Sequence, residues 1–311
     1  MITVTNEETC RGLWGHLDPS PSYGISASFD FRRYYSSRSG MQPYFLCDDE
    51  RDPSFVVPLC TARDRLDWFG TSELEDSRLY CRPDAGEKLL QSLGVVGVRQ
   101  MPNVRGEQVE RLRELSLVES VAVTGVKVVA GAEGLKPGGA HWSARNLART
   151  TRAFDALKPE WVLHEDPKLS EIENVLDESV LWFASRDRTS KFQSEEKRKK
   201  YADIYTSRVP GVRALMAECI AGGSSAIRAL ALVSDRTATV STVAVNTEHP
   251  SGKAVPQYGF RYAISSLPTA LSESVGTEWV DYQGGDHSWK KEVSPECQIT
   301  QYKVTLGHEL R

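Results

Sequence analysis

The chain has 311 residues, a formal net charge of −4 and 40% hydrophobic residues, an ordinary globular composition. This length fits one large domain or two of about 150 residues, and it can bury a core without disulfides or a structural metal. No apolar run approaches the roughly 18 residues that span a bilayer, and the N-terminus lacks a secretory signal. The six cysteines share no CxxC spacing, which argues against a zinc or redox motif. We therefore expect a cytoplasmic protein without a membrane span.

The first half of the sequence predicts mixed α/β structure. Valine-rich or alternating apolar runs predict strands, and apolar residues at helical spacing predict helices. In chain order these are a strand at 22–29, a helix at 30–36, a hairpin of 43–47 with 54–60, helices at 84–93 and 105–116, and a strand at 120–130. The glycine-rich stretch 131–139 follows and predicts a linker.

The second half contains more helix before it returns to strands. In chain order we predict a helix at 143–157, a strand at 161–164, helices at 169–185, 197–206 and 212–221, a hairpin of 226–234 with 237–246, a strand at 256–262 leading into a helix at 263–274, and strands at 279–281 and 300–306. The order of elements recurs loosely in both halves, which indicates a duplicated α/β unit. The predicted fold class is therefore α/β with mixed sheets, in two domains at 1–140 and 141–311.

Positive charge is concentrated between residues 186 and 213, where nine basic and four acidic side chains give a local charge of +5. Such a segment either faces a phosphate-bearing partner or is a solvated helix face, and the sequence leaves both readings open. The predicted phosphate-binding or tRNA-binding side chains are Arg186, Arg188, Lys191, Lys197, Arg198, Lys199 and Lys200.

Familiar catalytic motifs are missing from the sequence. It contains no GxxxxGK[ST] phosphate loop, no HExxH and no GxSxG. The six histidines lack ligand spacing, so we predict no metal site. The stretch 131–139 is a linker or, because it lies between a predicted strand and a predicted helix, a degenerate pyrophosphate loop.

The most informative segment is 276–291, with the sequence GTEWVDYQGGDHSWKK. A predicted strand ends at Asp281, and Gly284 and Gly285 then allow a tight turn or close approach to a ligand. Trp289 and Lys290 follow. A cation beside an aromatic ring on a rigid loop suits an adenosine with a phosphate, or an oxyanion. The alternative is a hairpin with an ordinary exposed lysine.

This segment resembles the C-terminal signature of one branch of the GNAT superfamily, which includes the Fem-type aminoacyl transferases and the CelD/BcsL-type acyltransferases. The family pattern G-x-x-x-(Y/F)D(F/L)-x-G-(D/E)-x-x-(Y/F)-K is matched at Asp281, Gly285, Asp286 and Lys290, and Trp289 replaces the usual Tyr or Phe. The likeness extends more loosely over most of 14–306, including the arginine-rich segment 145–154. It implies two tandem GNAT-like units, each with helices flanking a mixed sheet.

The resemblance also implies site residues. In Fem-type enzymes the motif lysine lies near the transferred group and the terminal adenosine of the donor, and by position that role falls to Lys290. A fixed ammonium group would stabilise the oxyanion formed when an amine attacks an ester or thioester. The substrate-binding or donor-binding residues predicted beside it are Trp289, Asp286, Gly285, Gly284, Asp281 and Tyr258.

The sequence favours one acyl donor over two others. The (R/Q)xxGx(G/A) pyrophosphate loop of CoA-using GNAT enzymes has no clean copy here, so aminoacyl-tRNA is favoured over acyl-CoA or an acyl carrier protein. We therefore predict an aminoacyltransferase without a tightly bound cofactor. It would act on the amine of a small peptide or nucleoside-type acceptor, as in antibiotic assembly, with tRNA and not DNA as its partner. A GNAT-type N-acyltransferase and a non-catalytic RNA-binding or ligand-binding protein are the alternatives.

Overall fold

A computed structural model describes residues 1–17, 21–63, 65–70, 76–284 and 287–307, and for 21–23 and 141 it describes the backbone alone. The chain divides into two compact units. The first is built from described residues of 1–127 and 299–307 with Gly284, and the second from 128–283 and 287–298. No helix in the described ranges is long and apolar enough to cross a membrane.

Helices and short strands alternate in the first 131 residues. They are β1 (Ile2–Val4), α1 (Glu7–Trp14), α2 (Phe29–Arg38), β2 (Gln42–Cys47), β3 (Phe55–Ala62), β4 (Arg65–Trp68), β5 (Tyr80–Cys81), α3 (Gly86–Val96), β6 (Gln100–Arg105), α4 (Gly106–Glu114) and β7 (Val118–Gly131).

Longer helices and a long antiparallel hairpin follow. These elements are α5 (Ala144–Asp155), β8 (Glu160–Glu165), α6 (Leu169–Ala184), α7 (Glu195–Thr206), β9 (Val212–Ala221), β10 (Ser224–Ser234), β11 (Thr237–Val245), α8 (Ala254–Val275), β12 (Trp279–Asp281) and β13 (Gln298–Leu306). One 3-10 turn, Ser288–Lys291, contains the tryptophan and lysine of the sequence motif.

The first unit contains an antiparallel sheet in the order β1-β2-β3-β4, with β5 also paired to β3. Helix α1 begins at the N-cap Asn6, whose side chain accepts a hydrogen bond from the Thr9 amide. An aromatic cluster fills the core beside this sheet, with Phe69 5.1 Å from Phe29 and 5.2 Å from Phe45 between ring centroids. In the same unit, β13 lies between β6 and the start of β7.

The second unit contains the strand order β7-β12-β11-β10-β9-β8, in which β7 contributes its last residues. Strands β11 and β12 are parallel, and the other pairs are antiparallel, so this sheet is mixed. The parallel pairing is short and ends at Thr239 with Asp281. Helix α6 packs on β11, while α8 packs on β10 and β11 and also against α5. The end of β12 and the two helices α5 and α8 therefore belong to one folded body.

Most predicted elements are confirmed, and three are wrong. Residues 22–29 were expected to be a strand, but Pro21–Ala27 forms a 3-10 helix. Residues 212–221 were expected to be a helix because Ala, Leu, Met and Glu favour helices, yet they form β9, buried between β8 and β10. Pairing on both edges outweighs the intrinsic propensity there. Residues 256–262 belong to α8, where a Cβ at Gly259 would lie 2.7 Å from a Val245 methyl group.

The stretch 131–139 is not a linker between the units, because the second unit already begins at Val128. The Gly139 amide donates to the Glu292 carbonyl oxygen at 2.6 Å. A Cβ at Gly138 would lie 2.3 Å from the Val293 carbonyl carbon. The glycines therefore permit close backbone packing inside the second unit. The observed division differs from the expected boundary between 140 and 141, because the sequence does not reveal that the C-terminal strand pairs within the first unit.

Candidate functional site

The loop after β12 is held by the motif residues themselves. The Asp281 carboxylate accepts a hydrogen bond from the Gln283 amide at 2.7 Å, and Gln283 has a left-handed φ of 58°. The Lys290 ammonium group donates to the carbonyl oxygens of Tyr282 and Gln283, at 3.0 and 2.6 Å. Asp281 and Lys290 are each 2% exposed. Lys290 is therefore a buried cation fixed to the loop, not an exposed hairpin lysine.

Trp289 connects this loop to an aromatic cluster. Its ring centroid lies 5.9 Å from Trp142, 5.6 Å from Phe260 and 5.9 Å from Tyr282, and the ring is half-buried. The Lys290 ammonium nitrogen lies 5.7 Å from the same ring. The cluster presents one partly exposed indole beside a buried positive charge, an arrangement suited to stacking a planar group.

The other residues predicted from the motif fall in several places. Gly284 is half-buried at the end of the described loop, while Gly285 and Asp286 lie outside the described residues. Tyr258 lies on α8, and the Arg149 guanidinium carbon lies 5.5 Å above its ring. Tyr258 is therefore brought to the arginine-rich helix α5, whose contribution to a site the sequence interpretation missed.

Helix α5 lines a groove of about 520 Å³ with Ser143, Arg145, Asn146, Arg149 and Arg152. Ser143 is the N-cap, since its side chain accepts from the Asn146 amide. The arginines at 145, 149 and 152 are spaced by four and three residues, so they project from one helix face, and all three are exposed. No carboxylate among the described residues forms an ion pair with any of them. This spacing is visible in the sequence and is the signal that could have identified the groove.

Part of the positive charge in the predicted basic segment is offset by neighbouring carboxylates. Around α7, Lys191 donates to the Tyr201 hydroxyl at 2.6 Å, Lys199 pairs with Glu195 at 3.0 Å, and Arg198 pairs with Asp177. Lys197 is exposed and Lys200 is half-buried. Arg198 and Lys199 therefore have carboxylate partners, which partly offset their charge towards a phosphate.

Arg186 and Arg188 are separated from the α7 lysines. Arg186 donates to the Pro256 carbonyl oxygen at 2.8 Å, and its guanidinium carbon lies 5.0 Å from the Trp182 ring. Desolvation against the protein and the positive charges of Arg188 and Arg261 lower the pKa of Arg186. Arg186 is therefore tied to α8, while Arg188 is exposed.

The described residues contain no group of three His, Cys, Asp or Glu side chains placed to hold a metal ion. The sequence matches no protein-family model and no curated protein.

Three solved structures share the fold over almost the whole chain. The superposition on FemX covers 99% of this chain and 98% of the FemX chain, with a TM-score of 0.55 and 8% identity. The superposition on a conserved protein of unknown function from Bacteroides thetaiotaomicron covers 96% of each chain, with a TM-score of 0.53 and 13% identity. The superposition on L-PGS from Bacillus licheniformis covers 97% of this chain and 91% of the L-PGS chain, with a TM-score of 0.51 and 10% identity.

At such low identity these similarities establish the fold alone. The predicted α/β architecture of mixed sheets with flanking helices is confirmed, and the likeness to FemX agrees with the Fem-type fold expected from the sequence. The CelD/BcsL-type branch stays a prediction.

Proposed function

We propose that this protein is a Fem-like aminoacyltransferase that moves an aminoacyl group from aminoacyl-tRNA to the amine of a small peptide or nucleoside-type acceptor. The observation that carries the proposal is the groove along α5, where Arg145, Arg149 and Arg152 line one face without a carboxylate partner among the described residues. Uncompensated arginines on one helix face suit a polyphosphate or a nucleic-acid backbone.

The aromatic cluster supports the same donor. Arg149 stacks over Tyr258, and Trp289 is half-buried beside Lys290. Phosphate-binding cations and a partly exposed aromatic ring in one unit match the two parts of a tRNA acceptor end, its backbone and its terminal adenosine. Acyl-CoA also carries an adenosine and phosphates, and it is therefore the alternative donor.

The proposed chemistry requires no covalent enzyme intermediate. The acceptor amine attacks the ester carbonyl carbon, and a tetrahedral oxyanion forms. Collapse of this intermediate breaks the C–O bond to the ribose, and the proton lost by the amine ends on the leaving hydroxyl group of the tRNA. We assign Lys290 as the cation that stabilises the oxyanion, because its burial strengthens electrostatic interactions and its two hydrogen bonds to carbonyl groups fix its position.

The test uses two donors in parallel. The full chain is incubated with a mixed pool of tRNAs charged with labelled amino acids and, separately, with labelled acyl-CoAs, each with a panel of primary amines. We expect label to move from tRNA into an amide product that is stable to mild base, which hydrolyses the tRNA ester. Transfer from acyl-CoA and not from tRNA would identify acyl-CoA as the donor. Binding of charged tRNA without any transfer would indicate an RNA-binding protein without this activity.

A further inference from the structure

Trp182 on α6 carries a buried hydrogen-bond donor that the protein does not satisfy. The residue is 6% exposed, and none of the described residues accepts a hydrogen bond from its indole Nε1. Its ring stacks on Phe260 at 5.1 Å between centroids, which fixes the plane in which the N–H group lies. Burying a polar group without a partner is destabilising, and native proteins seldom retain such a donor without a ligand or water.

A cluster of cations adjoins this ring. Arg186 lies over the face of Trp182 and is tied to the start of α8 through the Pro256 carbonyl oxygen. Further along α8, Arg261 donates to the Thr150 hydroxyl at 3.4 Å, while its buried Nε has no acceptor among the described residues. Desolvation and the positive charges of Arg188 and Arg261 lower the pKa of Arg186. Two buried donors without partners thus lie in a region where like charges repel.

This region is distinct from the α5 groove. Arg261 reaches Thr150, which is 1% exposed and therefore on the buried face of α5, whereas Arg149 and Arg152 are exposed. Aromatic rings surround the second set of cations, with Arg261 6.0 Å from Trp142 and Arg186 5.0 Å from Trp182. The α5 arginines form an open basic face that suits an extended polyanion, while buried donors beside one exposed guanidinium group suit one compact oxyanion.

We propose that Trp182, Arg186 and Arg261 form an oxyanion-binding site for a carboxylate or phosphate group of the acceptor substrate. This deepens the proposed function, on which it rests, by naming the acceptor as an amine that also carries an anionic group. An oxyanion would accept hydrogen bonds from the Trp182 and Arg261 donors and would relieve the repulsion among the arginines. The amine of the same molecule is then left free to react.

The first experiment measures anion binding without any donor or acceptor. Inorganic phosphate and acetate are each titrated by calorimetry and tryptophan fluorescence, with chloride holding the ionic strength constant. Trp182→Phe keeps the aromatic ring but removes the N–H donor, and Arg186→Gln removes one charge. We expect each variant to weaken binding of the preferred anion at least about tenfold, as loss of one charge-assisted hydrogen bond does. Arg236→Gln, which removes an exposed charge paired with Glu278, should bind like the native chain.

The second experiment tests the assignment to the acceptor. Transfer is measured to an amino acid and to its amide, which differ in the carboxylate charge, and to a phosphorylated amine. Arg186→Gln should raise the KM for the anionic acceptors about tenfold and leave the KM for the amide unchanged.

The two experiments separate the two proposals. Native-like anion binding by Trp182→Phe and Arg186→Gln would overturn the site. An equal rise in KM for the acid and the amide would overturn its assignment to the acceptor. If no donor supports transfer, the proposed function and the acceptor assignment both fail, while the titrations still decide whether the oxyanion site exists.

Discussion

The Lys290 ammonium nitrogen lies 2.6 Å from the carbonyl oxygen of Gln283, which has a left-handed backbone, and 3.0 Å from that of Tyr282. The lysine therefore fixes the conformation of the loop that follows β12. The Lys290 side chain thus both stabilises the loop and places a positive charge inside the protein. Measurements of stability and of transfer distinguish these two roles.

Lys290→Ala should lower both stability and transfer. Two carbonyl groups lose a buried partner, so we expect about 1–3 kcal/mol less stability by denaturant unfolding. Transfer per folded molecule should fall about 10²–10³-fold, because an oxyanion-stabilising cation is lost. Lys291 is the adjacent control: it is exposed, and Lys291→Ala should be close to native in both assays. A stability loss without any loss of transfer would make Lys290 a structural residue only.

The α5 arginines should dominate the salt dependence of tRNA binding. Arg149→Gln with Arg152→Gln removes two phosphate contacts, so the slope of log K against log salt should become shallower by about 1.4–1.8. Lys199→Gln is a comparison from the originally predicted basic segment, and its ion pair with Glu195 leads us to expect little change. Both slopes are measured by filter binding at several salt concentrations. A shallower slope for Lys199→Gln and an unchanged slope for the α5 double variant would assign the tRNA contacts to α7 instead.

Asp76 should make the first unit sensitive to acid. Its carboxylate is fully buried and pairs with Arg105 at 2.6 Å and Lys127 at 2.5 Å. Burial alone would raise the pKa of Asp76, but the charges of Lys127 and Arg105 and their hydrogen bonds outweigh it and lower this pKa to about 2. A depressed native pKa means that the stabilisation is complete above the unfolded value near 4 and is lost as the pH falls towards 2.

The loss of unfolding free energy over that range should be about 2 kcal/mol from this group. Asp76→Asn should cost about 3–5 kcal/mol at pH 7, because two buried cations lose a charged partner, and the variant should lose less stability than the native chain between pH 4 and 2. Asp52→Asn, which removes an exposed partner of Arg82, should change stability by less than about 1 kcal/mol. An unaltered acid-unfolding curve for Asp76→Asn would contradict the role of this carboxylate.

Gly138→Ala should destabilise the second unit. The new Cβ would meet the Val293 carbonyl carbon at 2.3 Å and the Glu292 carbonyl oxygen at 2.4 Å, and both are backbone atoms that cannot rotate away. We expect a loss of about 1–3 kcal/mol by thermal unfolding, as in other overpacked sites. Gly94→Ala is the matched control in α3, with nothing within 4 Å of its Cβ, and should be neutral or slightly stabilising. Equal melting temperatures would show that the 288–296 segment moves freely to accommodate the methyl group.

The sequence by itself determined the elements whose signals are local. Helix α5 lies within the predicted helix at 143–157, with Ser143 as its N-cap, and the hairpin of β10 and β11 follows its apolar runs, because capping and alternation act between near neighbours. The motif at 276–291 also pointed to a Fem-type fold, which the likeness to FemX supports.

Only the tertiary structure decided which charges are balanced and which polar groups are buried. Arg198 belongs to the most basic run, yet it pairs with Asp177 on α6, while the α5 arginines have no carboxylate partner among the described residues. The orphan donor of Trp182 and the anchoring of Lys290 depend on segments 7 to 78 residues away in sequence. Charge compensation and desolvation act through space, so a linear pattern identifies candidate residues but not their surroundings.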